Sequence, residues 1–85
     1  MSIFRKGEPL AGADRPRFKI KLTAEDGGVY YWHKRGRLHT VDEDVANVFV
    51  SNFDRSLFQV RPDGTLTPPQ PGETFPIHSV EKEPA

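Results

Sequence analysis

The first clear pattern along the chain is an alternation of apolar and basic residues in RFKIKLT, residues 17–23. In an extended chain, one face carries Phe18, Ile20 and Leu22, and the opposite face carries the basic residues between them. This period of two predicts a half-buried β-strand whose outer face is cationic.

A second apolar run, VYYWHK at residues 29–34, follows the turn residues EDGG and predicts the returning strand of a hairpin. The length of the turn decides which aromatic side chains face the core. A two-residue turn puts Tyr31 and His33 on the apolar face, whereas a three-residue loop with one left-handed glycine puts Tyr30 and Trp32 there. We favour the three-residue loop, because a small core needs the one Trp of the chain.

A second tight turn is predicted at KRGR, residues 34–37, because Gly36 can adopt a positive φ angle. Residues 38–41 then form a short third strand. The first three strands are therefore expected to form an antiparallel meander.

An α-helix is predicted to begin near Thr40, because TVDE at residues 40–43 matches the capping-box pattern and acidic residues suit a helix N-terminus. It is expected to end near residues 51–52. The apolar stripe predicted to pack on the sheet consists of Val41, Val45, Val48, Phe49 and Phe53. The β-branched residues lower helix propensity and keep a strand as the alternative.

The last part of the chain contains one more predicted hairpin and a proline-rich segment. Residues 56–61 alternate again, Pro62-Asp63-Gly64 is a typical tight turn, and residues 65–67 form the returning strand. The prolines that follow favour an extended conformation, with Phe75 and Ile77 as anchors.

These elements predict an α+β fold in the order β-β-β-α-β-β. One helix packs on a small antiparallel sheet in a single domain, residues 17–67, because 85 residues bury too little surface for a second core. An irregular N-terminal arm, residues 1–16, precedes it, and a Pro-rich tail, residues 68–85, follows it.

The absence of cysteine indicates a reducing compartment. The N-terminal stretch lacks the apolar region of about 7 to 15 residues that a signal peptide needs. No run approaches the roughly 20 apolar residues of a membrane span. We therefore expect a cytoplasmic protein without a membrane partner.

The charges are distributed unevenly although they balance overall. Residues 1–40 contain nine Lys and Arg against four Asp and Glu, whereas residues 41–85 contain three against eight. Either the two halves neutralise each other in the fold, or they form a basic and an acidic surface that face partners.

No catalytic, cofactor or metal motif is present in the sequence. The three histidines, His33, His39 and His78, lack the short spacing of local metal ligands, and no nucleophile is paired with a base. We expect a protein that is not an enzyme and that uses no cofactor and no metal.

The predicted function is a small protein-interaction module, an adaptor or inhibitor. Small cytoplasmic chains without motifs are often encoded by phages or mobile elements and act on host protein complexes. The alternative is single-stranded nucleic-acid binding through the same basic and aromatic face, although a pI near 6.8 disfavours it. The candidate partner-binding residues are Lys19, Lys21, Tyr31, His33, Arg35 and Arg37, with Asp42 and Asp44 as an acidic side.

Overall fold

The computed structural model describes residues 16–85 and has a mixed α+β architecture, with antiparallel strands in small sheets and one α-helix. The strands are β1 (Arg17–Ala24), β2 (Val29–Tyr31), β3 (His33–Lys34), β4 (Arg37–Leu38), β5 (Thr40–Asp42), β6 (Gln59–Val60), β7 (Leu66–Thr67) and β8 (Ile77–Pro84). Helix α1 spans Glu43–Asn52, and a short 3₁₀ helix spans Arg55–Leu57. The predicted order β-β-β-α-β-β is therefore wrong in detail, since within residues 16–85 five strands precede the helix and three follow it. Apart from Pro16, the predicted N-terminal arm lies outside the described residues.

Strand β1 is the centre of the main sheet and pairs with three other strands, all antiparallel. On one side it pairs with β2 near its C-terminal end and with β5 near its N-terminal end. The amide of Trp32 continues the β2 pairing by donating to the carbonyl of Ile20 at 3.0 Å. Residues 33–39 therefore form an insertion that interrupts one long edge strand, and the predicted simple meander is wrong.

The first turn adopts the three-residue form that the sequence favoured. Gly27 has a φ angle of 93°, and the amide of Ala24 donates to the carbonyl of Gly28 at 2.8 Å. The resulting register pairs Leu22 with Tyr30. Because directly paired residues share a face, Tyr30 and the next alternate residue, Trp32, lie on the core side.

The insertion is a hairpin formed by β3 and β4. The turn between them has positive φ angles at Arg35 (54°) and Gly36 (78°), which is the pattern of a type I′ turn. The amide of His39 donates to the carbonyl of Trp32 at 2.9 Å and closes the insertion at its base. The hairpin therefore leaves the main sheet and can reach the second part of the chain.

The second part of the chain contributes the small β6–β7 sheet, which docks against this insertion. Its connecting loop has the predicted turn geometry, with Gly64 at a φ angle of 86° and the amide of Arg61 donating to the carbonyl of Thr65 at 2.9 Å. The amide of His33 donates to the carbonyl of Gly64 at 2.9 Å. This bond joins the two hairpins.

The C-terminal segment is not an irregular tail from Ile77 onward, which corrects the prediction. Strand β8 pairs with β1 over nearly its whole length, from the Ala24–Ile77 pair to the Phe18–Pro84 pair. The amide of Ala85 extends the pairing to the carbonyl of Arg17 at 2.9 Å. The physical reason is that β1 exposes two edges, and the first hairpin satisfies the backbone of only one of them.

Helix α1 begins after Asp42 rather than after Thr40. The Asp42 carboxylate accepts a hydrogen bond from the amide of Val45 at 3.2 Å, while Thr40 lies in β5 opposite Lys19. The helix ends at Asn52, as predicted. The predicted capping box is therefore wrong, because pairing with β1 holds the Thr in an extended strand.

The predicted packing face of α1 is also wrong in part. Val45 is 50% exposed and Val48 is 60% exposed, whereas Ala46 is fully buried. The side chains that pack on the sheet recur at Ala46, Phe49, Val50 and Phe53, which are again spaced by three and four. The helix is thus rotated by about one residue from the predicted orientation.

The core lies between α1 and the inner face of the main sheet and continues under the β6–β7 sheet. Its fully buried members include Ile20, Leu22, Ala46, Val60 and Ile77. Phe58, Leu66 and Val80 cover it partially. This core holds the aromatic side chains that form the site described next.

Candidate functional site

An open groove of about 690 Å³ lies where the β3–β4 hairpin, helix α1 and the β6–β7 sheet meet. Its apolar wall comes from these elements and the residues that flank them, and consists of Trp32, Phe49, Phe53, Phe58 and Leu66. The hairpin supplies its polar rim, which consists of His33, Lys34, Arg35 and His39. We call this cavity the aromatic groove. Its walls come from segments more than thirty positions apart in the chain.

The apolar wall is a continuous series of rings. Trp32 stacks on Phe49 with ring centroids 4.6 Å apart, Phe49 lies 5.3 Å from Phe53, and Phe53 stacks on Phe58 at 5.4 Å. His39 meets the indole of Trp32 edge-on at 4.7 Å. Contacts of this kind hold aromatic rings in defined orientations. The groove wall is therefore preorganised rather than loosely packed.

The rim of the aromatic groove is cationic. The ammonium group of Lys34 lies over the Trp32 ring, 5.1 Å from its centroid. Within residues 16–85, neither Lys34, Arg35 nor Arg37 forms an ion pair with a carboxylate. These charges are therefore available to an anionic group that approaches the groove.

The two histidines of the rim have different surroundings. Nδ1 of His33 lies 2.7 Å from the Tyr31 carbonyl oxygen, and because that oxygen can only accept, the nitrogen donates its proton. Partial burial of His39, together with the positive charges of Lys34 and Arg17, lowers its pKa below the ordinary histidine value. His39 is therefore held in its neutral form to a lower pH than a free histidine.

The predicted outer-face residues Lys19, Lys21 and Tyr31 do lie together on the solvent side of the main sheet, where Lys21 pairs with Tyr31. A carboxylate of strand β8, that of Glu83, offsets part of the positive charge of the lysines. The Tyr31 hydroxyl donates to Glu83 at 2.9 Å, and the Lys21 ammonium lies 3.6 Å from the same carboxylate. The hydrogen bond to Glu83, with smaller contributions from burial and from that negative charge, raises the pKa of Tyr31.

The cationic outer face predicted from β1 is thus a mixed face. The ammonium of Lys19 lies over the Tyr31 ring at 4.6 Å, and Glu83 is the residue that pairs with Lys19 in the neighbouring strand. At this face a basic residue of the first half, Lys21, is thus paired with an acidic residue of the second half, Glu83. The ion pair between Lys82 and Glu43, at 3.0 Å, instead lies within residues 41–85.

The remaining predicted residues are divided between two places. His33 and Arg35 line the aromatic groove, and Arg37 lies on the same hairpin in β4. Asp42 caps helix α1 and Asp44 belongs to its first turn, so both contribute to the helix start. The structure therefore brings the basic candidates of the hairpin together and separates them from the acidic ones.

Sequence reasoning did not assign Phe49, Phe53, Phe58 or Leu66 to a site. It placed the two helix residues in the packing stripe and the other two in strands, and each assignment gave them a purely structural role. The available signal was the density of aromatic residues between positions 49 and 58 next to a weakly apolar helix. It could not show that these rings meet Trp32.

No group of three His, Cys, Asp or Glu side chains within residues 16–85 is placed to hold a metal ion. No helix within that range has the length and apolar character needed to cross a membrane. Comparison of the chain with protein-family models, with curated proteins and with solved structures found no match.

Proposed function

We propose that the protein is a small non-enzymatic interaction module, an adaptor or inhibitor, that binds an acidic segment of a partner protein in the aromatic groove. The observation that carries the proposal is the coincidence of a preorganised ring series with two cations of the groove rim, Lys34 and Arg35, that have no carboxylate partner among the described residues. Interfaces concentrate their binding free energy in aromatic and arginine side chains at a partly enclosed centre.

The chemistry of the groove selects the kind of segment. An apolar or aromatic side chain of the partner fits against Phe53, Phe58 and Leu66, and carboxylates beside it meet Lys34 and Arg35. Complementary charge mainly increases the association rate and the specificity, while burial of the apolar anchor supplies most of the affinity.

A protein segment suits the groove better than single-stranded nucleic acid. Bases bind such surfaces by stacking on free ring faces. Here Phe49 and the Lys34 ammonium already lie over the Trp32 indole, and Phe53 lies between two other rings. The available surface is a cleft for an inserted side chain, and the outer sheet face that the alternative requires is partly neutralised by Glu83.

The test is a titration of the purified protein with a short synthetic peptide that carries one phenylalanine flanked by glutamates. Trp32 is the one tryptophan of the chain and reports directly on the groove. We expect saturable quenching or shift of its emission. Lys34→Glu together with Arg35→Glu should weaken binding by about tenfold, which corresponds to about 1.4 kcal/mol.

The matched control is Arg37→Glu, which reverses the same charge on the same hairpin outside the groove lining. It should weaken binding much less. A peptide in which lysines replace the glutamates should not bind. Equal or tighter saturable binding of single-stranded oligothymidylate, lost in the Lys34→Glu and Arg35→Glu variant, would instead support the nucleic-acid alternative and contradict the proposal.

A further inference from the structure

Strand β8 is an edge strand of the main sheet among the described residues, since its single strand partner is β1. The amide of Ala85 bonds to the carbonyl of Arg17, and Pro84 has no amide proton to donate. In an antiparallel pair, bonded and non-bonded positions alternate along the strand. The backbone groups of Ser79, Glu81 and Glu83 therefore point to β1, and those of Val80 and Lys82 point to the open edge.

The open edge is limited at both ends. The Arg55 guanidinium donates to the His78 carbonyl at 2.6 Å and so occupies the acceptor at the N-terminal end. Pro84 offers no outward donor at the C-terminal end. Among the described residues, the outward backbone groups of Val80 and Lys82 have no hydrogen-bond partner, and they form a short window for one added strand segment.

A second open groove of about 460 Å³ lies beside this window. Its lining is mixed: Val50, Phe53 and Val80 supply apolar side chains on the inner side of the sheet, and Asp54, Arg55, His78 and Ser79 supply polar ones. On the outer side of the same strand, Glu81 is exposed and forms no ion pair with any residue in the range 16–85. A strand added at the window thus meets the apolar side chains of Val50 and Val80 within a mixed groove on one side, and the Glu81 carboxylate on the other.

The opposite edge of β8 shows which kind of strand pairs with the alternating side chains of β8. There it pairs with β1, whose apolar residues face inward and whose lysines stand opposite acidic residues, Lys21 opposite Glu81 and Lys19 opposite Glu83. A strand added at the open edge of β8 meets the same alternating side chains, because the side chains of paired residues lie on the same face of the sheet.

From this juxtaposition we propose a second docking site: the outer edge of β8 binds a short extended segment of a partner protein that alternates apolar and basic residues. Pairing of main-chain groups at Val80 and Lys82 holds the segment, an apolar side chain enters the groove lined by Val50, and a Lys or Arg faces Glu81. A second copy of the chain is not the occupant, because among the described residues the strand with that pattern, β1, is paired on both edges.

The probe is a synthetic peptide with the sequence RFKIKLT, which is that of residues 17–23. Added to the ¹⁵N-labelled full chain, it should shift the amide resonances of Val80 and Lys82 and slow their hydrogen exchange. Two control peptides should bind at least about tenfold more weakly. In one, the same residues are reordered so that the apolar ones are grouped together. In the other, glutamates replace the basic residues.

Two variants move the affinity in opposite directions. Glu81→Lys should weaken binding by about fivefold, since it replaces attraction with repulsion. Arg55→Ala should strengthen binding by about threefold, because it uncovers the His78 carbonyl and lengthens the window by one acceptor. Glu25→Lys, which makes the same charge change in the first hairpin loop, should leave the affinity unchanged.

The binding experiments at the β8 edge can be distinguished from those at the aromatic groove. Lys34→Glu should not affect binding of the basic peptide, and Glu81→Lys should not affect binding of the acidic peptide. Phe53 lines both grooves and is therefore left intact in every variant. Absence of shifts at Val80 and Lys82, or self-association of the free chain through β8, would overturn the second site whatever the result at the first.

Discussion

The carbonyl oxygen of Tyr31 lies directly against Gly64, so that a Cβ atom added at Gly64 would overlap it. The same added atom would lie 2.7 Å from Nδ1 of His33. Gly64 also has a φ angle of 86°, which side chains other than glycine rarely adopt. This contact joins the end of β2, next to Trp32, to the loop between β6 and β7.

Substitution Gly64→Ala should therefore strongly destabilise the fold. The left-handed backbone costs about 1 to 2 kcal/mol for a residue with a Cβ atom, and the overlap with the Tyr31 carbonyl adds to it. Chemical denaturation followed by Trp32 fluorescence measures the loss.

Gly36→Ala is the matched control for that measurement. Gly36 has a similar φ angle of 78°, but an added Cβ atom meets no other atom within 4 Å. Gly36→Ala should therefore lower the free energy of unfolding only by the cost of the left-handed backbone. Equal losses in the two variants would mean that the contact between Gly64 and Tyr31 is absent in solution.

The tyrosine at the outer face should ionise at a higher pH than its ordinary value of 10.0, because its hydroxyl donates to Glu83 and the carboxylate disfavours a neighbouring phenolate. The stabilisation from this contact is fully present below the pKa of Tyr31 in the unfolded chain and is lost as the pH rises through the higher pKa of the folded state. Ultraviolet absorbance during a pH titration measures the ionisation.

Because the chain has two tyrosines, the titration is clearest in a Tyr30→Phe background, where Tyr31 alone contributes. Adding Glu83→Gln should lower the pKa of Tyr31 towards its ordinary value. An unchanged midpoint would show that the Tyr31–Glu83 hydrogen bond does not form.

Gln59 is a buried polar side chain with its hydrogen bonds satisfied. Its amide nitrogen donates to Thr67 at 3.3 Å and to Glu73 at 3.1 Å, and its oxygen accepts from the amide of Phe75 at 3.2 Å. Gln59→Leu should destabilise the fold by about 1 to 3 kcal/mol, because it leaves the partly buried backbone amide of Phe75 without its acceptor and removes the hydrogen bonds to Thr67 and Glu73.

The measurement is urea unfolding of the variant beside Gln70→Leu, which makes the same change at an exposed position. The control should change the free energy of unfolding by less than about 0.5 kcal/mol. If the two variants are equally stable, residues 68–76 are not held to the domain through Gln59.

The orientation of helix α1 can be tested with the same new residue at two positions. Ala46→Asp places a carboxylate in the core and should lower the free energy of unfolding by about 3 kcal/mol or more. Val48→Asp, on the exposed face, should change it by about 0.5 kcal/mol or less. Thermal unfolding followed by circular dichroism compares the stabilities of the two variants. A larger loss in Val48→Asp than in Ala46→Asp would instead support the packing stripe predicted from the sequence.

Several local features were predictable from the sequence, because they depend on neighbouring residues. The alternation in residues 17–23 requires a two-sided strand, and the glycines at positions 27, 36 and 64 each take the left-handed conformation that their turns need. The favoured three-residue loop placed Trp32 on the core side. Basic residues of the hairpin were recognised as candidates, and two of them, His33 and Arg35, do line the aromatic groove.

Tertiary structure alone decided the features that join distant parts of the chain. The edge of β1 that β8 occupies could not be deduced from the local pattern of IHSVEKEP, whose pairing depends on a strand about sixty positions earlier. The face that α1 buries was ambiguous, since two apolar stripes share its sequence and only the sheet beneath selects one. The aromatic groove exists because an insertion in an edge strand carries the basic residues to rings from two other segments, and no local property of either sequence requires them to meet.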